Sequence, residues 1–180
     1  MDSADLAALP DFRTALSGYS AIVIASDHGG MLGEAELTFL NGQAVAIVDY
    51  LNAGGGLYAE SESNATGQIG ATPRFAFLPF LASSTDFNAD EVSNTVTVFG
   101  SSLGLVDADV NGNFSHNYFA PTAGMSSVDL YNGSASRPLT LAYRGLVDIQ
   151  GPIPEPQTYA LMVLGLLAVG MAHRRRTPAG

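Results

Sequence analysis

Cysteine is absent from the 180 residues of this chain. That absence excludes disulfide bonds, thiolate zinc sites and a cysteine nucleophile. Lysine and tryptophan are also absent, so all seven basic residues are arginines. They are opposed by 17 acidic residues, which gives a formal net charge of −10. We therefore expect no nucleic-acid partner, because nucleic-acid phosphates carry the same sign of charge.

Charged residues are scarce, at 13% of the chain, whereas hydrophobic residues make up 47%. That apolar share is enough for one hydrophobic core and excludes a disordered chain. The charge is unevenly placed: residues 1–153 hold sixteen acidic residues and four arginines, and residues 154–180 hold one acidic residue and three arginines. An acidic body is thus followed by a tail of opposite sign, which indicates two functionally different parts.

The body shows alternating strand and helix patterns. Residues 20–26 form a short β-branched apolar run that predicts a buried strand. Residues 34–52 repeat apolar positions at helical spacing, and a second strand is predicted at 57–59, after three glycines. Together these elements predict a βαβ unit, with further strands at 94–99 and 139–143. We therefore predict an α/β fold with a mostly parallel sheet and helices on both faces.

Several stretches resemble the class I glutamine amidotransferase-like superfamily, in particular its version in surface-sorted bacterial proteins. They are YSAIVIASDHGG at 19–30, DYLNAGGGLYAES at 49–61, FLPF at 77–80 and NGNFSHNYF at 111–119. The resemblance covers residues 5–148 and implies a three-layer flavodoxin-like fold.

Members of that superfamily begin with a further strand and helix. The resemblance therefore implies that the domain at 1–150 is truncated at its N-terminus. Residues 1–10 also show neither the basic nor the apolar region of an export signal. Both observations lead to the expectation that the printed start is internal to a longer protein.

Active members of the superfamily carry a cysteine on the turn after the strand at 57–59, where this chain has Glu60-Ser61-Glu62-Ser63. The G-x-S-x-G pattern of a serine nucleophile is missing, and two carboxylates would oppose a developing oxyanion. We therefore expect the amidotransferase chemistry to be lost and the turn to be a solvated acidic one.

An alternative interpretation is an extracytoplasmic hydrolase. Asp27 and His28 follow the first predicted strand, and Glu60 and Ser61 follow the second. The carboxyl ends of parallel strands meet at one sheet edge, where α/β folds place their ligands. With His116, these side chains could supply a nucleophile and acid–base groups. The rival interpretation is that the histidines are hydrogen-bonded loop residues.

A second alternative is a calcium- or carbohydrate-binding surface module. Asp107, Asp109 and Asn111, followed by Gly112, match the first half of a calcium loop. The twelfth position of such a loop should be a bidentate Glu, but it is Tyr118. The competing interpretation is a turn rich in Asp and Asn that needs no ion. Apart from this calcium candidate, no cofactor is predicted.

The tail combines three signals in order. A proline-rich linker at 151–157 contains Pro154, Glu155 and Pro156, and residues 157–172 carry no charge. We predict a transmembrane helix at 158–173, followed by a cytoplasmic tail at 174–180 that contains Arg174, Arg175 and Arg176. Arginines directly after an apolar helix stay on the cytoplasmic side, so the body is expected outside the cytoplasm.

The order of Pro-Glu-Pro, apolar helix and arginine cluster resembles the PEP-CTERM sorting signal over residues 152–176. The resemblance implies an inner-membrane, single-pass precursor in a Gram-negative bacterium. It also implies recognition by an exosortase, cleavage near residues 154–156, and a mature form at the cell surface or outside the cell. The lipid bilayer and an exopolysaccharide are the other expected partners.

Overall fold

The computed structural model describes residues 11–24, 32–63, 68–86, 93–112, 116–145 and 147. The chain divides into two compact units, Met1–Val147 and Asp148–Gly180. The fold below is that of the first unit, because the linker, the predicted transmembrane helix and the arginine tail all lie outside the described residues.

A short helix, α1 at Phe12–Leu16, opens the described chain and leads into strand β1 at Ala21–Ile24. Two helices, α2 at Glu34–Gly42 and α3 at Ala44–Asn52, then lead to strand β2 at Gly56–Glu60. β1 and β2 are parallel, so the predicted βαβ unit is confirmed.

The helical segment between β1 and β2 is broken, although its apolar period predicts one continuous helix. Gln43 lies between the two helices, as the C-cap of α2 and the N-cap of α3, with φ −100° and ψ 8°. It follows Gly42, a residue of low helix propensity. Both helices bury their apolar faces, with Leu37 and Ile47 completely enclosed. The pattern thus predicted the buried face correctly but not the break.

The sheet is mixed, and this corrects the prediction of a three-layer flavodoxin-like fold with a mostly parallel sheet. Its strand order is β1-β2-β9-β8-β6, with β6 at Thr95–Val96, β8 at Ser126–Leu130 and β9 at Pro138–Arg144. Only the β1–β2 pair is parallel, since β2–β9, β9–β8 and β8–β6 are antiparallel. The physical reason is that β8 and β9 are joined by a short loop, and a short loop can only connect antiparallel strands.

Two small antiparallel ribbons and three 3₁₀ turns complete the described chain. They are β3 (Gln68–Ile69) with β4 (Thr72–Pro73), β5 (Ser84–Asp86) with β7 (Asn117–Phe119), and the turns Pro79–Leu81, Asp107–Val110 and Tyr131–Gly133. The β5–β7 ribbon is held by aromatic packing: the ring of Phe119 meets that of Phe75 edge to face at a centroid distance of 5.0 Å. Both rings are almost completely buried in the same core as the α2–α3 segment.

A short helix, α4 at Val98–Ser102, follows β6 and lies directly on the backbone of β8. The hydroxyl of Thr97 caps α4 by accepting from the N–H of Gly100, and it donates to the carbonyl of Ser127 at 2.6 Å. The strand predicted at 94–99 is therefore shorter than expected, because this cap starts a helix at Val98.

Among the described residues, no helix has the length and apolarity needed to cross a bilayer. The transmembrane helix predicted at 158–173 falls outside them.

The close approach of α4 to β8 generates a stability prediction. A Cβ added at Gly100 would lie 2.2 Å from the carbonyl oxygen of Val128, which is backbone and cannot move away cheaply. We expect Gly100→Ala to destabilise the protein by about 1–3 kcal/mol, the usual range for overpacking. Urea unfolding followed by circular dichroism measures this change.

The matched control is Gly42→Ala at the end of α2, where an added Cβ meets no atom within 4 Å. Because Ala is the better helix former, this control should be neutral or up to about 1 kcal/mol more stable. Equal unfolding midpoints for the two variants would contradict the described contact between α4 and β8.

Candidate functional site

The turn after β2 enters the protein interior. Ser61 is 3% exposed, and its hydroxyl donates a hydrogen bond to the backbone oxygen of Asn117 at 2.8 Å. The backbone N–H of Ser63 donates to Oδ1 of Asn117, also at 2.8 Å, and the Ser63 hydroxyl donates to the carbonyl of Leu32. The expectation of a solvated acidic turn is therefore wrong for its two serines.

Asn117 links this turn to a buried arginine. Its side chain is 2% exposed, and Nδ2 donates to Oδ1 of Asp86 at 2.6 Å. The same Asp86 oxygen lies 2.5 Å from Nη2 of Arg74, which is 1% exposed. Nε of Arg74 donates to the hydroxyl of Ser84 at 2.6 Å. We call this set the Arg74–Asn117 network; it comprises Ser61, Ser63, Arg74, Ser84, Asp86 and Asn117.

A carboxylate–histidine pair lies beside the network. Glu62 accepts two hydrogen bonds from His116, one from the backbone N–H at 2.8 Å and one involving ring Nδ1 at 2.9 Å. The side chain of Glu62 is 15% exposed and that of His116 is 54% exposed. A carboxylate at Nδ1 fixes the orientation of the imidazole, while the His116 side chain as a whole stays more than half exposed.

The structure thus brings two of the predicted candidates into one region. Ser61, in the turn after β2, bonds to Asn117 at the start of β7, and His116, the residue before β7, bonds to Glu62 of the same turn. Glu60 is the last residue of β2 and is paired with Thr140 of β9. Asp27 and His28 lie outside the described residues, so their position relative to this region stays a prediction.

The residues of this region that sequence reasoning missed are Arg74, Asp86, Asn117 and, as a partner of histidine, Glu62. Their signal was weak, because each pairing joins residues far apart in the chain. One usable clue was Arg74 itself, a lone charge immediately before the apolar run at 75–81. A charge in such a run must find a partner if the run is buried.

The hydrogen bonding of Ser61 limits the catalytic chemistry that this region can perform. The hydroxyl proton of Ser61 is donated to a carbonyl, and the hydroxyl itself is enclosed. A serine nucleophile needs its proton directed at a base and its oxygen facing the substrate. The described geometry of Ser61 provides neither, whereas His116 is oriented and accessible.

The residues of the predicted calcium loop use their oxygens on backbone groups. Oδ1 of Asp107 accepts from the N–H of Val96 at 2.8 Å, and Oδ1 of Asn111 accepts from the N–H of Asn94 at 2.7 Å. An oxygen of Asp109 also accepts a backbone N–H at 2.8 Å. Within the described parts of the chain, no three His, Cys, Asp or Glu side chains come close enough together to hold a metal. A calcium ion at this loop would have to compete with these turn-forming bonds, and it stays a prediction.

A second polar group lies on the sheet itself, near the end of β8. Asp129 is 5% exposed, and its Oδ1 has no hydrogen-bond partner among the described residues. Burial raises the pKa of Asp129, although hydrogen bonding to Thr140 partly opposes the shift. Burial and the nearby charge of Glu60 likewise raise the pKa of Tyr58 on β2. The sheet therefore holds a carboxyl group that resists ionisation.

The residues predicted to direct sorting all lie beyond Val147: Pro154, Glu155, Pro156, Arg174, Arg175 and Arg176. A family model described as the PEP-CTERM protein-sorting motif matches residues 152–176, which include all six. The motif indicates a secreted, membrane-anchored precursor that an exosortase recognises and that is processed toward the cell surface. The sorting part of the sequence-based identification is therefore confirmed.

No curated protein and no solved structure matches this chain. The resemblance of the body to the amidotransferase-like superfamily is supported by no family match and no homologue. The mixed sheet also contradicts the flavodoxin-like topology that the resemblance implied.

The Arg74–Asn117 network generates a prediction at its hub. Asn117→Asp replaces the amide that donates to Asp86 with a second carboxylate, which repels the first. We expect a loss of about 1–3 kcal/mol at pH 7, the range for a buried polar group left without its partner. At pH 4 the loss should be smaller, because a protonated Asp can donate as the amide did. Urea unfolding at both pH values measures it.

The control for that variant is Asn132→Asp, which adds the same charge at an exposed position. Its effect should stay within about 0.5 kcal/mol at both pH values. A loss at Asn117→Asp no larger than that of the control would show that the network does not hold the fold.

The buried carboxyl of Asp129 generates a second prediction. The pKa of Asp129 is raised only in the folded state. The free energy of unfolding therefore falls as the pH rises from the pKa of Asp129 in the unfolded chain through its pKa in the folded protein. Asp129→Asn removes that loss, so we expect a higher melting temperature at pH 7 and a gain that disappears as the pH falls toward 4. Calorimetry across this range measures the gain.

Asp109→Asn is the control, because Asp109 is exposed and an amide oxygen can still accept the hydrogen bond that it receives. Its melting temperature should follow the wild type at each pH. A lower melting temperature for Asp129→Asn at pH 7 would mean that the ionised carboxylate stabilises the sheet, contrary to this account.

Proposed function

We propose that this chain is the precursor of an exosortase-sorted envelope or matrix component whose body does not act as an enzyme. The observation that carries the proposal is the match of residues 152–176 to the PEP-CTERM sorting motif. The acidic body and the oppositely charged tail support it, since they assign the two parts of the chain to different environments.

The proposed topology follows from the charge distribution of the tail. The sixteen uncharged residues at 157–172 would give a helix of about 24 Å, at about 1.5 Å per residue. Moving an arginine to the bilayer centre costs about 2.5–3.5 kcal/mol on insertion scales, so three of them stop translocation. The tail would then remain in the cytoplasm while the body lies outside the inner membrane.

Cleavage is proposed at the Pro-Glu-Pro segment, residues 154–156. Proline lacks a backbone donor and fixes φ, so this segment cannot continue a helix or a sheet. An extended segment next to the membrane is accessible to a membrane peptidase. Cleavage there would release the acidic body, with exopolysaccharide as its proposed partner at the cell surface.

A hydrolase is the second candidate function, and one observation favours it: Glu62 orients the exposed side chain of His116 through Nδ1. The buried and already bonded hydroxyl of Ser61 argues against the serine as its nucleophile. We therefore keep the non-enzymatic function as the proposal.

Substitutions in the tail test the sorting proposal. We export a version with an added signal peptide and an epitope tag on the body, in hosts with and without an exosortase. Replacing residues 154–156 with alanines should leave the protein at full length in the inner membrane, because the cleavage segment is lost. Replacing residues 174–176 with serines should weaken retention instead, because the stop to translocation is lost. Immunoblots of membrane and external fractions distinguish the two results.

The unsubstituted protein in the host without an exosortase is the control and should remain anchored. Equal shortening in both hosts would contradict sorting by an exosortase while leaving the membrane anchor unaffected.

A further inference from the structure

Arg137 is an exposed arginine held over two tyrosine rings. Its Cζ lies 5.4 Å from the ring centroid of Tyr118 and 5.7 Å from that of Tyr131. Both distances are within the range of cation–π attraction, which is strongest when the cation is partly desolvated. The two half-buried rings therefore fix the position of the guanidinium without neutralising its charge.

The loop that carries Arg137 is rigid for its size. The N–H of Tyr131 donates to the carbonyl of Arg137 across the β8–β9 connection at 2.9 Å. The N–H of Ser134 donates to Tyr131, and the N–H of Arg137 donates to Ser134, each also at 2.9 Å. Because these hydrogen bonds already form without a ligand, binding at this loop would cost little ordering entropy.

Among the described residues, Arg137 differs from Arg13 and Arg74 in having no carboxylate beside its guanidinium. It differs from Arg144, which has no such ion pair with a described residue either, in being held over two aromatic rings. Nη2 of Arg13 lies 2.6 Å from Oδ2 of Asp49, and Nη2 of Arg74 lies 2.5 Å from Oδ1 of Asp86. Over the described ranges, no carboxylate lies within 4.0 Å of Arg137, and its guanidinium makes no hydrogen bond. A guanidinium carries its N–H donors in its own plane, in the geometry that binds both oxygens of a carboxylate.

We propose that Arg137, with Tyr118 and Tyr131, binds the carboxylate of an acidic saccharide, such as a uronic-acid unit. The guanidinium would bind the carboxylate, and the tyrosine rings would contact the apolar C–H face of the sugar ring. The paired hydroxyls of Ser134 and Ser136, 3.0 Å apart in the same loop, can exchange hydrogen bonds with sugar hydroxyls. A peptide made only of acidic residues, such as triglutamate, offers the carboxylate but neither the flat C–H face nor the hydroxyls. The choice of a saccharide rests on the proposed surface location.

The test measures binding of trigalacturonate to the full chain in detergent micelles by calorimetry. Two further ligands serve as probes: the neutral methyl ester of trigalacturonate and triglutamate, a peptide of the same charge. We expect trigalacturonate to bind, and both other ligands to bind at least about tenfold more weakly, the effect of losing one good charge-assisted contact.

Two variants separate geometry from charge. Arg137→Lys keeps the charge but loses the planar donors, so it should weaken binding of trigalacturonate by about tenfold. Arg144→Gln removes another exposed arginine, at the end of β9, and should leave binding unchanged. Melting temperatures confirm that each variant is folded, and the comparison of the ligands on the unsubstituted protein requires no variant.

The proposal is overturned if trigalacturonate does not bind, or if its methyl ester binds equally well. Equal binding of triglutamate would replace the saccharide with an acidic peptide. An undiminished affinity in Arg137→Lys would show that charge alone is responsible and would also overturn the proposal. An equal loss in Arg144→Gln would overturn it as well, because the effect would then not be specific to Arg137. Because binding is measured without an exosortase, a failure of sorting and a failure of this site are distinguishable.

Discussion

A guanidinium removed from water must be neutralised where it lies, and Arg74 imposes this constraint on the first unit. The side chain is enclosed, and its charge is met by Asp86, whose carboxylate remains 60% exposed. Breaking such a pair leaves an uncompensated buried charge, which costs about 3–5 kcal/mol. The carboxylate of Asp86 also accepts a hydrogen bond from the side-chain amide of Asn117, so the β5–β7 ribbon is held at both of its strands.

This constraint explains how short elements acquire a fixed structure. β5 and β7 have three residues each, and the turn after β2 has no regular structure at Ser61. Isolated two-stranded ribbons are marginal in water. Here the Arg74–Asn117 network and the packing of Phe119 on Phe75 supply the missing stability. The candidate region around Glu62 and His116 is positioned as a consequence.

The sequence predicted the parts of the fold whose signal is local. The positions of β1, β2 and β9 and the buried faces of α2 and α3 follow from apolar period and glycine placement. The predicted burial of β1 is wrong, because β1 is the edge strand of the sheet and Val23 is 64% exposed. β8 was not found, because its sequence SSVDL is mostly polar and buries Asp129. Its place in the sheet depends on pairing with β9 and β6, which no local pattern reveals. Missing β8 left the antiparallel half of the sheet unrecognised.

The same division applies to the candidate sites. The sorting signal was predictable because its three parts follow one another within 25 residues. The pairs Glu62–His116 and Asp86–Asn117, and the tyrosines around Arg137, join residues that only the folded chain brings together. Residue type alone indicated His116 and Ser61 but not that the serine is buried.

The central claim is that a folded acidic body is separated from its membrane-directed tail at the sorting motif. The intact mass of the protein recovered outside an exosortase-bearing host tests this most directly. The account predicts a body that ends between residues 152 and 156, lacks Arg174, Arg175 and Arg176, and unfolds cooperatively. A recovered protein that retains the three arginines would contradict the account, as would one that ends elsewhere or has the same mass without an exosortase.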